Sequence, residues 1–213
     1  MMIVTKMSFL GKNICVLLTI SLFFSCKKKE NIEEKHTYEI ISLIYNNSSS
    51  PMMPPPAPLP SEGLITKEDS IYFQNYRKQL IEKKQIIAIE PKLEKPRNKK
   101  VKVHTDCKDY ENLLLKYYLI DKESPIEISK IVKVRKDSIL YFKEEMINRD
   151  RKEFENFDIL LSFSQIAFNK EYDKAIIATS RSTSRVAGGG SLVFLEHKDG
   201  HWSIKCLKRL WIS

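Results

Sequence analysis

From residue 157 to the end, the chain reads as short β-strands separated by turn residues, and this pattern limits the fold more than anything else in the sequence. Residues 157–168 form one strand candidate and 169–173 a turn. Residues 174–181 form a second strand, 186–190 (Val-Ala-Gly-Gly-Gly) a loop, and 191–197 a third strand. Lys198-Asp199-Gly200 is a tight turn in which Gly200 suits a positive φ, and 201–212 is the last strand. Connections this short join antiparallel neighbours. In the last strand Trp202, Ile204, Cys206, Leu210 and Ile212 fall on one face by alternation, with Lys208 the exception.

Helical patterns come before the strands. Residues 36–47 place Tyr38, Ile41 and Tyr45 on one helical face, with Ile40 and Ile44 beside it, and an Asn-Asn-Ser-Ser-Ser run stops the helix. Residues 51–60 hold six of the nine prolines. That density favours polyproline II and a surface loop, with docking of a proline-binding partner as the alternative. Thr66 and Asp69 fit a helix start, and Tyr72, Tyr76 and Leu80 recur every fourth residue, so 67–83 reads as a helix. Residues 86–89 are a short strand closed by Pro91. Thr105 or Asp106 caps a helix running through Tyr110, Leu113, Leu114, Tyr117 and Tyr118; 126–134 reads as a strand, and 138–146 fits either state. The expectation is an α+β fold, with N-terminal helices packed on one face of a C-terminal antiparallel β-meander. Residues 36–213 form one domain with a proline-rich loop at 51–60, and a composition of 42% hydrophobic and 30% charged residues is that of a folded chain.

Residues 1–25 have a different character. Lys6 and Lys12 are basic, no acid occurs, and 14–24 is an apolar run that ends at Ser25 and Cys26. Basic, apolar and small residues in that order describe a secretory signal, and the run is well short of the roughly 20 residues a permanent spanning helix needs. Leu22-Phe23-Phe24-Ser25-Cys26 resembles a bacterial lipoprotein box of the looser Bacteroidota type. The resemblance implies cleavage between Ser25 and Cys26, acylation of Cys26, and a cell-envelope protein held on the lipid bilayer, in the outer membrane with the leaflet left open. An ordinary secretory signal is the alternative. The mature chain would lose Lys6 and Lys12 and no acid, so a net charge of +9 becomes +7. Residues 26–35 are then the lipidated cysteine and a charged, flexible tether.

Segments 161–169, 188–196 and 199–204, with the terminal Leu210-Trp211-Ile212-Ser213, resemble uncharacterised Bacteroidota lipoproteins over roughly the last 55 residues. The Asp199-Gly200-His201-Trp202-Ser203-Ile204 hairpin is similar to those of nuclear-transport-factor-two-like folds. Some of the lipoproteins carry cysteines before the glycines, where this chain has residues 182–187 without one. Neither resemblance supplies a catalytic residue.

The remaining chemistry is sparse. Gly188, Gly189 and Gly190 precede a strand and not a helix, which favours a turn or bulge over a phosphate loop. His197 and His201 flank the tight turn with Cys206 nearby, and His104, Asp106 and Cys107 form a second group. Together they would make a zinc site only if the fold joined them, so no metal or cofactor is assigned. Cys107 and Cys206 are the thiols left after processing, either as a disulfide or as two separate buried thiols. Glu144 and Glu145 read as surface acids, and no serine-hydrolase or zinc-protease signature occurs. The basic run at 95–102 lacks the aromatics of a nucleic-acid surface and reads as a solvated or lipid-facing patch. The leading expectation is a non-catalytic binding or structural module of the envelope, with an envelope protein partner engaged through 51–60 as a further option. The rival is a small-ligand binder or unrecognised enzyme with a cavity between helices and sheet. The sheet face beneath the helices decides between them: packed apolar side chains favour the first, and a lined cavity the second.

Overall fold

The computed structural model describes residues 31–51, 67–97, 101 and 105–213. The signal segment 1–25, Cys26, residues 27–30 and the proline run 52–60 lie outside the described residues. The chain divides into units 1–35 and 36–213. In the first, Asn31 caps a helix start, its Oδ1 accepting from Glu34 N at 3.4 Å. Helix α1 (Ile32–Ser48) therefore begins before residue 36, and residues 32–35, expected to be flexible, are helical. Glu33 and Glu34 in the first turn favour this start because they complement the positive helix end.

Helix α2 spans Lys67–Glu82, and α3 spans Glu111–Tyr118 behind a 3₁₀ segment, Thr105–Tyr110. The strands are β1 (Ile86–Glu94), β2 (Ser124–Pro125), β3 (Ser138–Tyr141), β4 (Ile159–Ser164), β5 (Ala167–Phe168), β6 (Lys174–Ser184), β7 (Ala187–Lys198) and β8 (His201–Ile212). They form one sheet ordered β2-β1-β4-β6-β7-β8, with β3 on β1 and β5 on β6. Strands β4, β6, β7 and β8 are the antiparallel meander, and β1 joins it parallel to β4. The fold is α+β. No helix among the described residues is long and apolar enough to cross a membrane.

Alternation along the strands builds two cores. Ile87, Ile89, Ile159, Leu161, Phe163, Ala175, Ile177, Val193 and Leu195 face α1, where Ile40, Ile41, Ile44 and Tyr45 cover them. Ala167, Ile176, Leu192 and Phe194 face the other way and pack on Tyr110, Leu113, Leu114 and Tyr117. Helices therefore cover both faces of the sheet, where one covered face was expected. The reason lies in β6 and β7, which carry apolar residues at consecutive positions and so are buried on both sides. Helix α2 departs from the expectation differently. None of residues 69–82 is buried, and Tyr72 and Tyr76 stack on each other at the surface.

Several boundaries move, each for a local reason. Strand β1 runs through Pro91 to Glu94, because a register shift between Ile89 and Leu93 takes up the proline, whose carbonyl accepts from Ile126 N at 3.0 Å. The strand expected at 157–168 breaks at Gln165, whose N–H donates to Glu94 O at 2.7 Å while its amide reaches Leu93 O and Ser124 Oγ. The segment 126–134 is not a strand; it holds a 3₁₀ turn at Ile128–Lys130, with Val132 N held by Ser42 Oγ and Val134 N by Asn46 Oδ1. Residues 138–146 split into β3 and a 3₁₀ turn at Glu144–Met146. The expected glycine loop at 186–190 is strand from Ala187 onward. At the last hairpin, Asp199 (φ 52) and Gly200 (φ 79) take the left-handed conformation that a two-residue turn requires.

Strand β8 is not one alternating run. Leu195 pairs with Ile204 and Phe194 with Cys206, so Lys205 is an extra residue; a second shift falls between the Gly190–Trp211 and Ser191–Arg209 pairs. Trp202 and Ile204 therefore join the α1 core, while Cys206 and Leu210 join the α3 core. The single face expected for these residues does not exist.

Candidate functional site

On the α3 face the apolar packing stops partway up the sheet. Above Leu192, the residues of β4 and β6 facing α3 are Ser162, Ser164, Ala178 and Ser180. Small side chains there leave a cavity of about 150 Å³. Tyr117 and Tyr118 of α3 form one wall, Leu210 and Trp211 of β8 another, and Glu94, Lys95 and Arg97 the rim.

The floor is held by its own hydrogen bonds. Ser162 Oγ and Ser180 Oγ lie 2.6 Å apart across β4 and β6. Tyr117 Oη donates to Ser164 Oγ at 2.9 Å, which also accepts from Ala178 N at 2.8 Å and donates to Gln165 O at 2.8 Å. Burial pushes the Tyr117 phenol up to about 12, against the pull of its Ser164 bond. Burial also raises Tyr118. Both rings are therefore neutral donors at ordinary pH. At the rim Arg97 pairs with Glu94 at 3.5 Å and Lys95 with Asp121 at 3.2 Å. The serines bond to one another, to Tyr117 or to the backbone. Among the described lining residues there is no histidine, and so no serine–histidine pair of the hydrolase kind.

Gly190 sets the Trp211 wall. A Cβ at Gly190 would stand 2.2 Å from Trp211 Nε1 and 2.8 Å from Cδ1. The indole lies directly on the strand, which only glycine permits. A wider, shallower groove of about 320 Å³ runs between α3 and the 169–174 turn, where Lys174 Nζ meets Asp109 Oδ2 at 2.7 Å. That bond holds the Asp109 carboxyl below the usual range. Its open, charged lining makes it the weaker candidate, because binding sites combine apolar walls with few polar groups.

The residues singled out from sequence are scattered. His197 pairs across the hairpin with Trp202, and His201 with Lys198, which places the two histidines on opposite faces. They cannot share a metal. His104 and the Asp106 side chain lie outside the described residues. Cys107 and Cys206 are brought together as a pair, Cα–Cα 6.7 Å, between the 3₁₀ segment and β8. The three glycines are in a strand, paired with Ser182, Arg181 and Ser180. Glu144 and Glu145 are exposed on the 3₁₀ turn. Of the basic run, Lys95 and Arg97 sit at the cavity rim; residues 98–100 and 102 are outside the described residues. Sequence reasoning missed the serine floor and the Trp211 wall. Both had a signal: hydroxyls at alternate positions of β4, and glycines inside a strand. No family model matches the chain, and neither a curated protein nor a solved structure matches it.

Proposed function

We propose that this chain is a lipid-anchored small-ligand-binding protein of the cell envelope, the reading a lined cavity between helix and sheet favours, and that it holds a small ring-shaped polar molecule against Trp211. The observation that carries the reading is the cavity: an aromatic wall, a hydroxyl floor and a charged rim on a sheet otherwise packed on both faces. Aromatic walls offer stacking surface, and fixed hydroxyls offer orientation. The anchor is supported by Leu22-Phe23-Phe24-Ser25-Cys26 and the apolar run before it. Acyl chains on Cys26, at about 0.8 kcal/mol per buried methylene, would hold the domain on a membrane durably.

The test is native mass spectrometry of the protein extracted from envelope membranes in mild detergent. The expected spectrum shows an acylated Cys26 terminus and a small-molecule adduct that Ser180→Leu, which fills the cavity, removes. A terminus without acyl mass overturns the anchor. Spectra of wild type and Ser180→Leu that are alike in the adduct region overturn the binding role.

A further inference from the structure

On the opposite face of the sheet, three side chains from distant parts of the chain converge. His36 lies in α1, Glu39 one turn later, and His197 near the end of β7. One ligand atom from each falls within 4.8 Å of the other two. His36 Nδ1 is 3.0 Å from Glu39 Oε2, and the His36 and His197 rings meet edge to face with centroids 5.1 Å apart. Two imidazoles and a carboxylate are a donor set that suits zinc and its neighbours. Bonds of about 2.0–2.2 Å in a tetrahedron put donors about 3.3–3.6 Å apart. From spacings of up to 4.8 Å the group must therefore contract by as much as about 1.5 Å, and Glu39, whose side chain is 38% exposed, has the freedom to move.

The hydrogen bonding around His36 must rearrange when an ion binds. Nδ1 of His36 also lies 3.1 Å from the indole N–H of Trp202. That nitrogen carries either one proton or one lone pair. With a proton it satisfies Glu39 and leaves the Trp202 donor facing a donor. With a lone pair it accepts from Trp202 and leaves the carboxylate facing a lone pair. A cation on Nδ1 would take that lone pair, so binding there requires the Trp202 N–H to turn away from His36. The imidazoles are also held in place: Tyr172 stacks on His36 at 5.6 Å, and Trp202 abuts His36 at 5.6 Å and His197 at 5.0 Å. A metal site requires ligands whose orientation is held by such neighbours.

We infer that His36, Glu39 and His197 form a binding site for a zinc-class divalent ion, with at least one coordination position left open. The site is independent of the serine-floored cavity and stands or falls without it.

The test is calorimetric titration of the full chain with zinc chloride, after chelator dialysis and with free thiols alkylated. One equivalent of zinc should bind, with a change in Trp202 emission, and cobalt should give the visible absorption of a four-coordinate nitrogen–oxygen site. Glu39→Gln, which keeps shape and hydrogen bonding, and His197→Gln should each weaken zinc at least tenfold. His201→Gln, on the other face, and His104→Gln should leave it unchanged. Zinc binding absent in the wild type, or unaltered in both Glu39→Gln and His197→Gln, overturns the site. So does a Trp202 emission that zinc leaves unchanged. Glu39 is too exposed for its substitution to unfold the domain, so the assignment stays testable if His197→Gln fails to fold.

Discussion

Gly190→Ala tests whether the cavity wall is built as described. The new methyl carbon would sit 2.2 Å from Trp211 Nε1, 2.8 Å from Cδ1 and 2.9 Å from Cε2. Ordinary contact begins near 3.4 Å, so the indole must retreat by about 1.2 Å or swing away. A gap of about 0.5–1 Å already forfeits a quarter to a half of a dispersion well, and Trp211 is 38% exposed, so most of its ring has packing to lose. We expect a loss of about 1–2 kcal/mol, offset by about 0.5–1 kcal/mol that alanine gains over glycine inside a strand. The net is a fall in Tm of no more than about 6 °C. The larger effect is optical: Trp211 moves into water and its emission shifts to the red. Gly189→Ala is the control, because a Cβ there would meet only Trp211 O at 3.4 Å. It should hold or raise Tm and leave the emission in place. If Gly190→Ala matches Gly189→Ala in both Tm and emission, the indole does not rest on that glycine and the wall is wrongly drawn.

Three further outcomes follow from the same packing. Closing a span of 99 residues between Cys107 and Cys206 removes loop entropy worth at most about 4.7 kcal/mol, so reductant should lower Tm by roughly 10 °C, and a non-reducing peptide map should show the two cysteines linked; unchanged Tm with two free thiols would refute the pairing. Burial raises Tyr45 and Tyr110 and takes Tyr117 to about 12, so the unfolded chain loses these protons near pH 10 while the native chain keeps them. Stability is then whole below pH 10 and falls between 10 and 12, by about 2–3 kcal/mol for Tyr117 alone; a phenolate titration complete by pH 10.5 with the fold intact would contradict this. Tyr45 is fully buried and its hydroxyl has no hydrogen-bond partner among the described residues, so Tyr45→Phe should be neutral or stabilise by up to about 1–2 kcal/mol in urea unfolding.

The sequence carried the elements well where one period dominated. The helix expected at 67–83 is α2 at Lys67–Glu82, and the helix through Leu113, Leu114 and Tyr117 is α3. Strands β6 and β8 begin where alternation and turn residues put them, and β7 begins four residues earlier, inside the expected glycine loop. What it could not show was partnership. The Tyr72 and Tyr76 spacing reads like a core stripe, yet those rings stack on each other in the open. The period of a helix says which residues share a face and not what that face meets. His36 and His197 lie 161 positions apart, and only the packing of α1 across β7 brings them together.

Strand β8 shows why the candidate site was the least legible part. Strict alternation from Trp202 would put Cys206 on the α1 face, away from Cys107. The extra residue Lys205 reverses the facing, so Cys206 pairs opposite Phe194 and reaches the 3₁₀ segment before α3. Alternation would then carry Trp211 back to the α1 face. The second shift, between Gly190 and Ser191, reverses it again and lays the indole on Gly190 above the serine floor. One bulge places the cysteine and the other places the wall of the cavity. Lys208, an apparent breach of the pattern, was the only trace of either in the sequence: it faces the α3 side opposite Leu192, where a strand without bulges would have put it in the α1 core.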